Sequence, residues 1–202
     1  MSNQLIKYQE GEIIPVENLP TTKQQAVQTL RDSPIAYWNS IQPKSVLDVF
    51  QAPNLSIVSL KNDVGEPFIR ALMVKWMGSF VNFYSVNGTM SDLQVADTIN
   101  LILEEYPHYK QDDFKLFFNM SKKGMFGQVF GRMDGEVIMQ WLKAYDIHRD
   151  TIAQKESIKE AERFKPVSQV RSSGIYYQEY LKLKERAENG DKEAIEMLKP
   201  PK

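Results

Sequence analysis

The side chains best suited to chemistry in this sequence are a local cluster of cations. Between Lys110 and Met133 lie Lys110, Lys115, Lys122, Lys123 and Arg132, opposed only by Asp112 and Asp113. That is an excess of three positive charges inside a chain of formal net charge -1. Gly124, Gly127 and Gly131 punctuate the same stretch, and Phe114, Phe117, Phe118, Phe126 and Phe130 surround it. Cations displayed at a glycine-loosened corner beside aromatic rings can contact phosphates or an acidic partner. The plainer account is that basic residues near a helix C-terminus complement its dipole and stay solvated. Lys122, Lys123 and Arg132 are expected to form the electropositive contact, with Lys115 and Arg149 as second choices.

Other chemistry finds little support. The two histidines, His108 and His148, are forty residues apart and lie in no spacing that would bring two imidazoles to one metal. Glu104 with Glu105 and Asp112 with Asp113 are adjacent pairs, and neighbours on a helix point roughly 100° apart. Neither pair converges on one proton or metal unaided, and helix-end electrostatics accounts for both. GMFGQVFG superficially evokes a phosphate-cradling loop, yet its glycine order differs and no strand precedes it. It reads instead as an interhelical turn in which Gly124 caps a helix, Gly127 and Gly131 permit close backbone approach, and Met125, Phe126, Val129 and Phe130 pack inward. With no cysteine, thiolate sites and disulfides are excluded. The expectation is a non-enzymatic protein with no catalytic residue, cofactor or metal.

These residues need elements to hold them, and the apolar spacing makes those elements helical. The chain has 202 residues, 42% of them hydrophobic and 25% charged, enough for one domain with appendages. Thr21 or Thr22, Ser33 with Pro34, and Lys44 or Ser45 mark three short helix starts. Residues 53–62 suit a strand or a helical turn, with helix or coil favoured because a lone strand lacks a partner. From Pro67 to Val86 runs the most hydrophobic helix, including Trp76, Phe80, Phe83 and Tyr84, stopped by Asn87 and Gly88. Thr89 or Ser91, the latter with Gln94 in capping-box position, starts a helix carrying Leu93, Val95, Ile99, Leu101 and Ile102 up to Tyr106 and Pro107. The next begins near Gln111 or Asp112 and reaches Met120 or Ser121, and Asp134 caps a long helix through Trp141 and Tyr145.

Beyond Arg149 the pattern becomes polar and charge-alternating. Residues 165–174 read as a linker, and AENGDKEAIEML as the turn of a single helical hairpin. The fold expected is all-α, roughly two-thirds helical against an ordinary third. It comprises an extended arm over 1–20, a compact helical bundle over 21–150, a charged helical extension with linker over 151–172, and a C-terminal helical hairpin over 173–202. No stretch resembles a secretory signal or membrane span, which reads as a soluble, cytoplasmic protein that is not exported.

The order of motifs from Met90 onward resembles a family of small helical proteins from phages and mobile elements of gut bacteria. The matching residues are Gly124, Phe126 and Gly127; Arg132, Asp134 and Gly135; Trp141, Leu142 and Tyr145; and a trailing Arg149. The resemblance covers about residues 67–155, and the Tyr106–Pro107 step is similar to one in the helical loader domains of replicative helicases. It implies a DNA-replication accessory that contacts a replicative helicase, an initiator or DNA, with no membrane partner. The alternative is a structural or assembly protein that self-associates as a homo-oligomer through the elements bearing Trp38, Trp76 and Trp141.

Overall fold

Side-chain oxygens fix where the helices begin. The structure, a computed structural model, describes residues 12–84, 90–129, 131, 133–164 and 177–198. Ten α-helices and no β-strand occur among them: α1 (Lys23–Asp32), α2 (Pro34–Ser40), α3 (Val46–Gln51), α4 (Ile57–Val64), α5 (Glu66–Val81), α6 (Asp92–Glu105), α7 (Gln111–Lys122), α8 (Gly135–Phe164), α9 (Tyr177–Glu188) and α10 (Lys192–Met197). Thr22, Ser45 and Ser91 each close a capping box with Gln25, Asp48 and Gln94. The Val137 amide donates to Asp134 Oδ1 at 3.1 Å and so starts α8. Stretch 53–62 resolves into α4 preceded by one isolated antiparallel bridge, Ser56 to Lys110.

The chain divides into two compact units, Met1–Lys155 and Glu156–Lys202, and the division falls inside α8. In the second unit α9 and α10 form the expected hairpin. Asp191 caps α10 and pairs with Arg186, and Ala194 is buried. The proposed linker lies outside the described residues, as does the first part of the N-terminal arm. From residue 12 the arm carries a turn of 3-10 helix, Val16–Asn18, and Ile14 is buried with its amide donating to Ser40 Oγ at 2.6 Å.

The first unit is organised around rings. Trp38 stacks on Trp76 at 4.1 Å, Phe80 stacks on Phe118 at 4.4 Å, and Tyr84 meets the edge of Trp141 at 5.7 Å. Phe117 and Phe126 both contact Tyr145. Each such side chain contributes about 1.5 to 3 kcal/mol on burial, and ring pairing adds about 0.5 to 1.5 kcal/mol. Trp76 and Trp141 are buried and Trp38 packs against the same core. The rings of Trp76 and Trp141 are therefore interior to this unit, and that of Trp38 is partly covered by the same core.

Several apolar residues assigned to the core by spacing are outside it. α5 ends at Val81, where the Asn82 amide reaches back to Gly78 O and Phe80 O, and Phe83 beyond it is 54% exposed. On α6 the buried stripe is Val95, Thr98, Ile99, Ile102 and Leu103, while Leu93 and Leu101 are 71% and 50% exposed. Leu93 lies three and four residues from Ala96 and Asp97, neither of them buried, and Leu101 is exposed although Thr98, three residues before it, is buried, so a mean period did not place them. Met125 is exposed too, whereas Phe126 and Val129 are partly buried against the core. Phe130 lies outside the described residues.

The glycine turn works by conformation rather than by close approach. Gly124 has φ +78°, its amide donates to Ser121 O at 2.8 Å, and the Met125 amide donates to Met120 O at 3.1 Å. These two bonds make a Schellman closure of α7. A side chain at Gly131 would meet nothing within 4 Å, and one at Gly127 only Trp141 Nε1 at 4.0 Å. The crowded glycine is Gly135, where a Cβ would fall 2.6 Å from Thr98 Oγ1. Thr98 cannot yield easily, because it is buried, β-branched and donates to Gln94 O at 2.8 Å. Gly135→Ala should lose about 1 to 3 kcal/mol of stability in urea denaturation. The double variant with Thr98→Ala should fall short of the sum of the two single losses; strict additivity would show that Gly135 and Thr98 are not in steric conflict.

Candidate functional site

The N-terminus of α7 is held by a carboxylate with no access to water. Asp113 is fully buried. Its Oδ1 accepts from Tyr145 Oη at 2.9 Å and from Arg149 Nε at 2.8 Å, and its Oδ2 accepts from the Lys110 amide at 2.9 Å. One residue thus caps α7 and ties it to two successive turns of α8. The Arg149 guanidinium also lies over the rings of Phe50 and Tyr109, at 5.1 and 5.3 Å. Tyr109 donates to Asp146 at 2.7 Å, adding a second bond between the α6–α7 connection and α8. Lys110 sends its ammonium the other way, to the carbonyls of Val49, Phe50 and Ala52 at the end of α3. There it satisfies orphan carbonyls and opposes the negative end of the helix dipole.

The expected site residues are accordingly divided. Arg149 is in an interior ion pair whose two side chains are 14% and 0% exposed. Lys115 donates to Trp38 O at 2.9 Å and lies 4.6 Å from the Trp38 ring centre. Burial, then the charge of Lys122, pushes its pKa down to about 8. Arg132 lies outside the described residues. Lys122 and Lys123 are both exposed at the end of α7, and among the described residues neither pairs with a carboxylate.

Lys122 opens onto an open concavity of about 890 Å³ lined by Val74, Lys75, Gly78, Ser79, Asn82 and Phe83 from the α5 side and by Asp92 at the start of α6. Its ammonium sits 5.0 Å from the Phe83 ring centre, and burial alone lowers its pKa. A Cβ at Gly78 would meet nothing within 4 Å, so the floor of the groove is free. The arrangement can hold an anion against Lys122 while a flat group rests near Phe83. Phe83 and the α5 residues were not among the expected site residues. The signal that marked them was the run Asn82–Phe83–Tyr84, in which a helix-terminating asparagine precedes two aromatic rings.

Asp112, next to Asp113, has the opposite circumstances. It is 6% exposed, and its Oδ2 has no hydrogen-bond partner among the described residues. Burial pushes its pKa up to about 6, against the partial relief of its own backbone amide and Lys110. The paired aspartates are both interior, and both lie in the first turn of α7, where helix-end electrostatics favours a carboxylate and Asp113 supplies the cap. Among the described residues no group of three or more His, Asp or Glu could hold a metal ion, and no helix is long and apolar enough to cross a membrane.

The model of DUF6633, a family of unknown function, matches residues 90–191, about half of the chain, and the chain belongs to that family. No curated protein matches the chain, and no solved structure does. The match spans the Asp113 network, the glycine turn, Gly135 and Lys122, whereas the α5 side of the groove precedes it.

The two aspartates should respond oppositely to amidation. Asp113→Asn leaves Arg149 without its charge partner in the interior and should cost about 3 kcal/mol at pH 7.5. Asp112→Asn removes an unpaired buried charge. Because the folded-state pKa of Asp112 is raised, its protonated form stabilises the protein at low pH, and that contribution is lost as pH rises through about 6. Asp112→Asn should therefore match wild type near pH 4 and exceed it by up to about 3 kcal/mol above pH 7. Urea titrations at both pH values check this; a wild type that keeps pace with Asp112→Asn across the range would refute the strain at Asp112.

Proposed function

We propose that this DUF6633 protein is a non-enzymatic binding protein that presents the Lys122–Lys123 corner and the adjoining α5 groove to nucleic acid. The observation that carries the reading is the Lys122 ammonium over the half-exposed ring of Phe83, at the edge of an open groove and without a carboxylate partner among the described residues. Lysine supplies phosphate contact, and an exposed ring supplies a stacking platform that tolerates any base. Single-stranded DNA suits that pairing best. Lys75 adds a second cation to the lining, and Asp92 is the one acidic member.

The pathway we propose is DNA replication of a phage or mobile element, in an accessory role beside a replicative helicase or initiator. Its support is the resemblance in motif order from Met90 to Arg149, together with the Tyr106–Pro107 step. The self-association reading has less to draw on, since Trp38, Trp76 and Trp141 belong to the core. The plainer role of Lys122, as a cation at the C-terminal end of α7, predicts a stability effect and no ligand.

Binding of a fluorescent single-stranded oligonucleotide, measured against salt concentration, separates these accounts. Wild type should bind at low salt with affinity falling steeply as salt rises, and Lys122→Glu with Lys123→Glu should weaken it at least about tenfold and flatten the salt slope by about 1.4. Gly78→Glu, which places a charge on the open floor of the groove, should weaken binding while leaving the melting temperature within a few degrees of wild type. Absence of binding at low salt, or binding indifferent to both variants, would contradict the reading.

A further inference from the structure

We infer that a second site, the pocket over Asp112, binds an alkylammonium group. The pocket is an open one of about 440 Å³, lined by Leu19, Pro20, Tyr37, Ile41, Pro43 and Pro53, with Gln42, Lys44, Asp48 and Asp112 as its polar members. It lies on the arm, α2, α3 and the start of α7, and shares no lining residue with the Lys122 groove.

The lining is mostly apolar, with side-chain donors on Tyr37, Gln42 and Lys44 and carboxylates on Asp48 and Asp112. Three of its residues are prolines, which have no amide hydrogen, so those positions can offer carbonyls but not donors. The Asp48 carboxylate is already engaged, accepting from the amides of Lys44 and Ser45. What remains is the Asp112 carboxylate, interior and with one oxygen unpartnered among the described residues. A buried carboxylate oxygen without a donor is unfavourable even beside the partial relief from the Asp112 amide and the Lys110 charge, and a cationic donor supplies the missing hydrogen bond. Tyr37 shares the lining, and burial, then the Asp112 charge, pushes its pKa up.

A metal ion needs several hard ligands, and only one free carboxylate is present. An anion would face Asp112. An ammonium on an aliphatic stem fits each part: the charge goes to Asp112 and the methylenes lie along Leu19, Ile41 and the proline rings. A free small amine and a lysine side chain of a partner share this chemistry.

Titration of the full-length protein at pH 7.5, followed by amide chemical shifts, tests the inference with n-butylammonium, n-butanol and a capped lysine amide as probes. The ammonium should bind at least tenfold more tightly than the alcohol of the same length. Asp112→Asn should erase that preference, and its fold is read in the same spectra. Tighter binding of the capped lysine than of butylammonium assigns the site to a partner's side chain, and the reverse assigns it to a free amine. Equal binding of alcohol and ammonium, binding unaffected by Asp112→Asn, or no binding of either cation overturns the proposal.

Discussion

Asp113 is the constraint on which the first unit depends. A carboxylate with no exposed surface must have its charge and lone pairs answered inside the protein, and Tyr145, Arg149 and the Lys110 amide answer them. Those partners come from α8 and from the residue just before α7, so the requirement of one side chain fixes where two helices lie. Lys110, whose backbone amide donates a hydrogen bond to Asp113, extends the same constraint to the end of α3 through three carbonyls. A hydrophobic contact could supply comparable stability, but it would tolerate sliding. Directed bonds from two turns of α8 to one carboxylate do not.

That arrangement sorts the basic residues by purpose. Arg149, Lys110 and Lys115 each reach an interior acceptor, and each lies on or beside an aromatic ring or a helix end that favours a cation. Lys122 and Lys123 come after α7 has run past the core, where the Schellman closure at Gly124 turns the chain away. Positive charge is left at the surface where the helix outruns its acidic partners. The motif residues of the family-like pattern divide along the same line: Phe126, Gly135, Tyr145 and Arg149 serve packing and the ion pair, and Gly124 terminates the helix.

Helix starts were legible in the sequence because capping is local: Thr22, Ser45, Ser91 and Asp134 need only the next three residues to act. Ile69, Leu72, Met73, Trp76 and Phe80 of the α5 core stripe were legible because their spacing is strong. Phe83, Leu93 and Leu101 were misassigned because periodicity carries no information about where a helix stops or how wide the covered stripe is. The close approach at Gly135 was hidden because its partner, Thr98, is distant in sequence. So was the difference between Asp112 and Asp113: neighbours of identical chemistry, separated only by what α8 presents to one and withholds from the other.

The account rests on a division between lysines held by the fold and lysines left for a partner, and reductive methylation followed by peptide mass mapping reads it directly, with and without single-stranded DNA. The account predicts that Lys122 and Lys123 are modified quickly in the free protein and protected by DNA, while Lys110 and Lys115 react slowly in both states. Rapid modification of Lys110 or Lys115 in the folded protein, or undiminished labelling of Lys122 under saturating DNA, would contradict it.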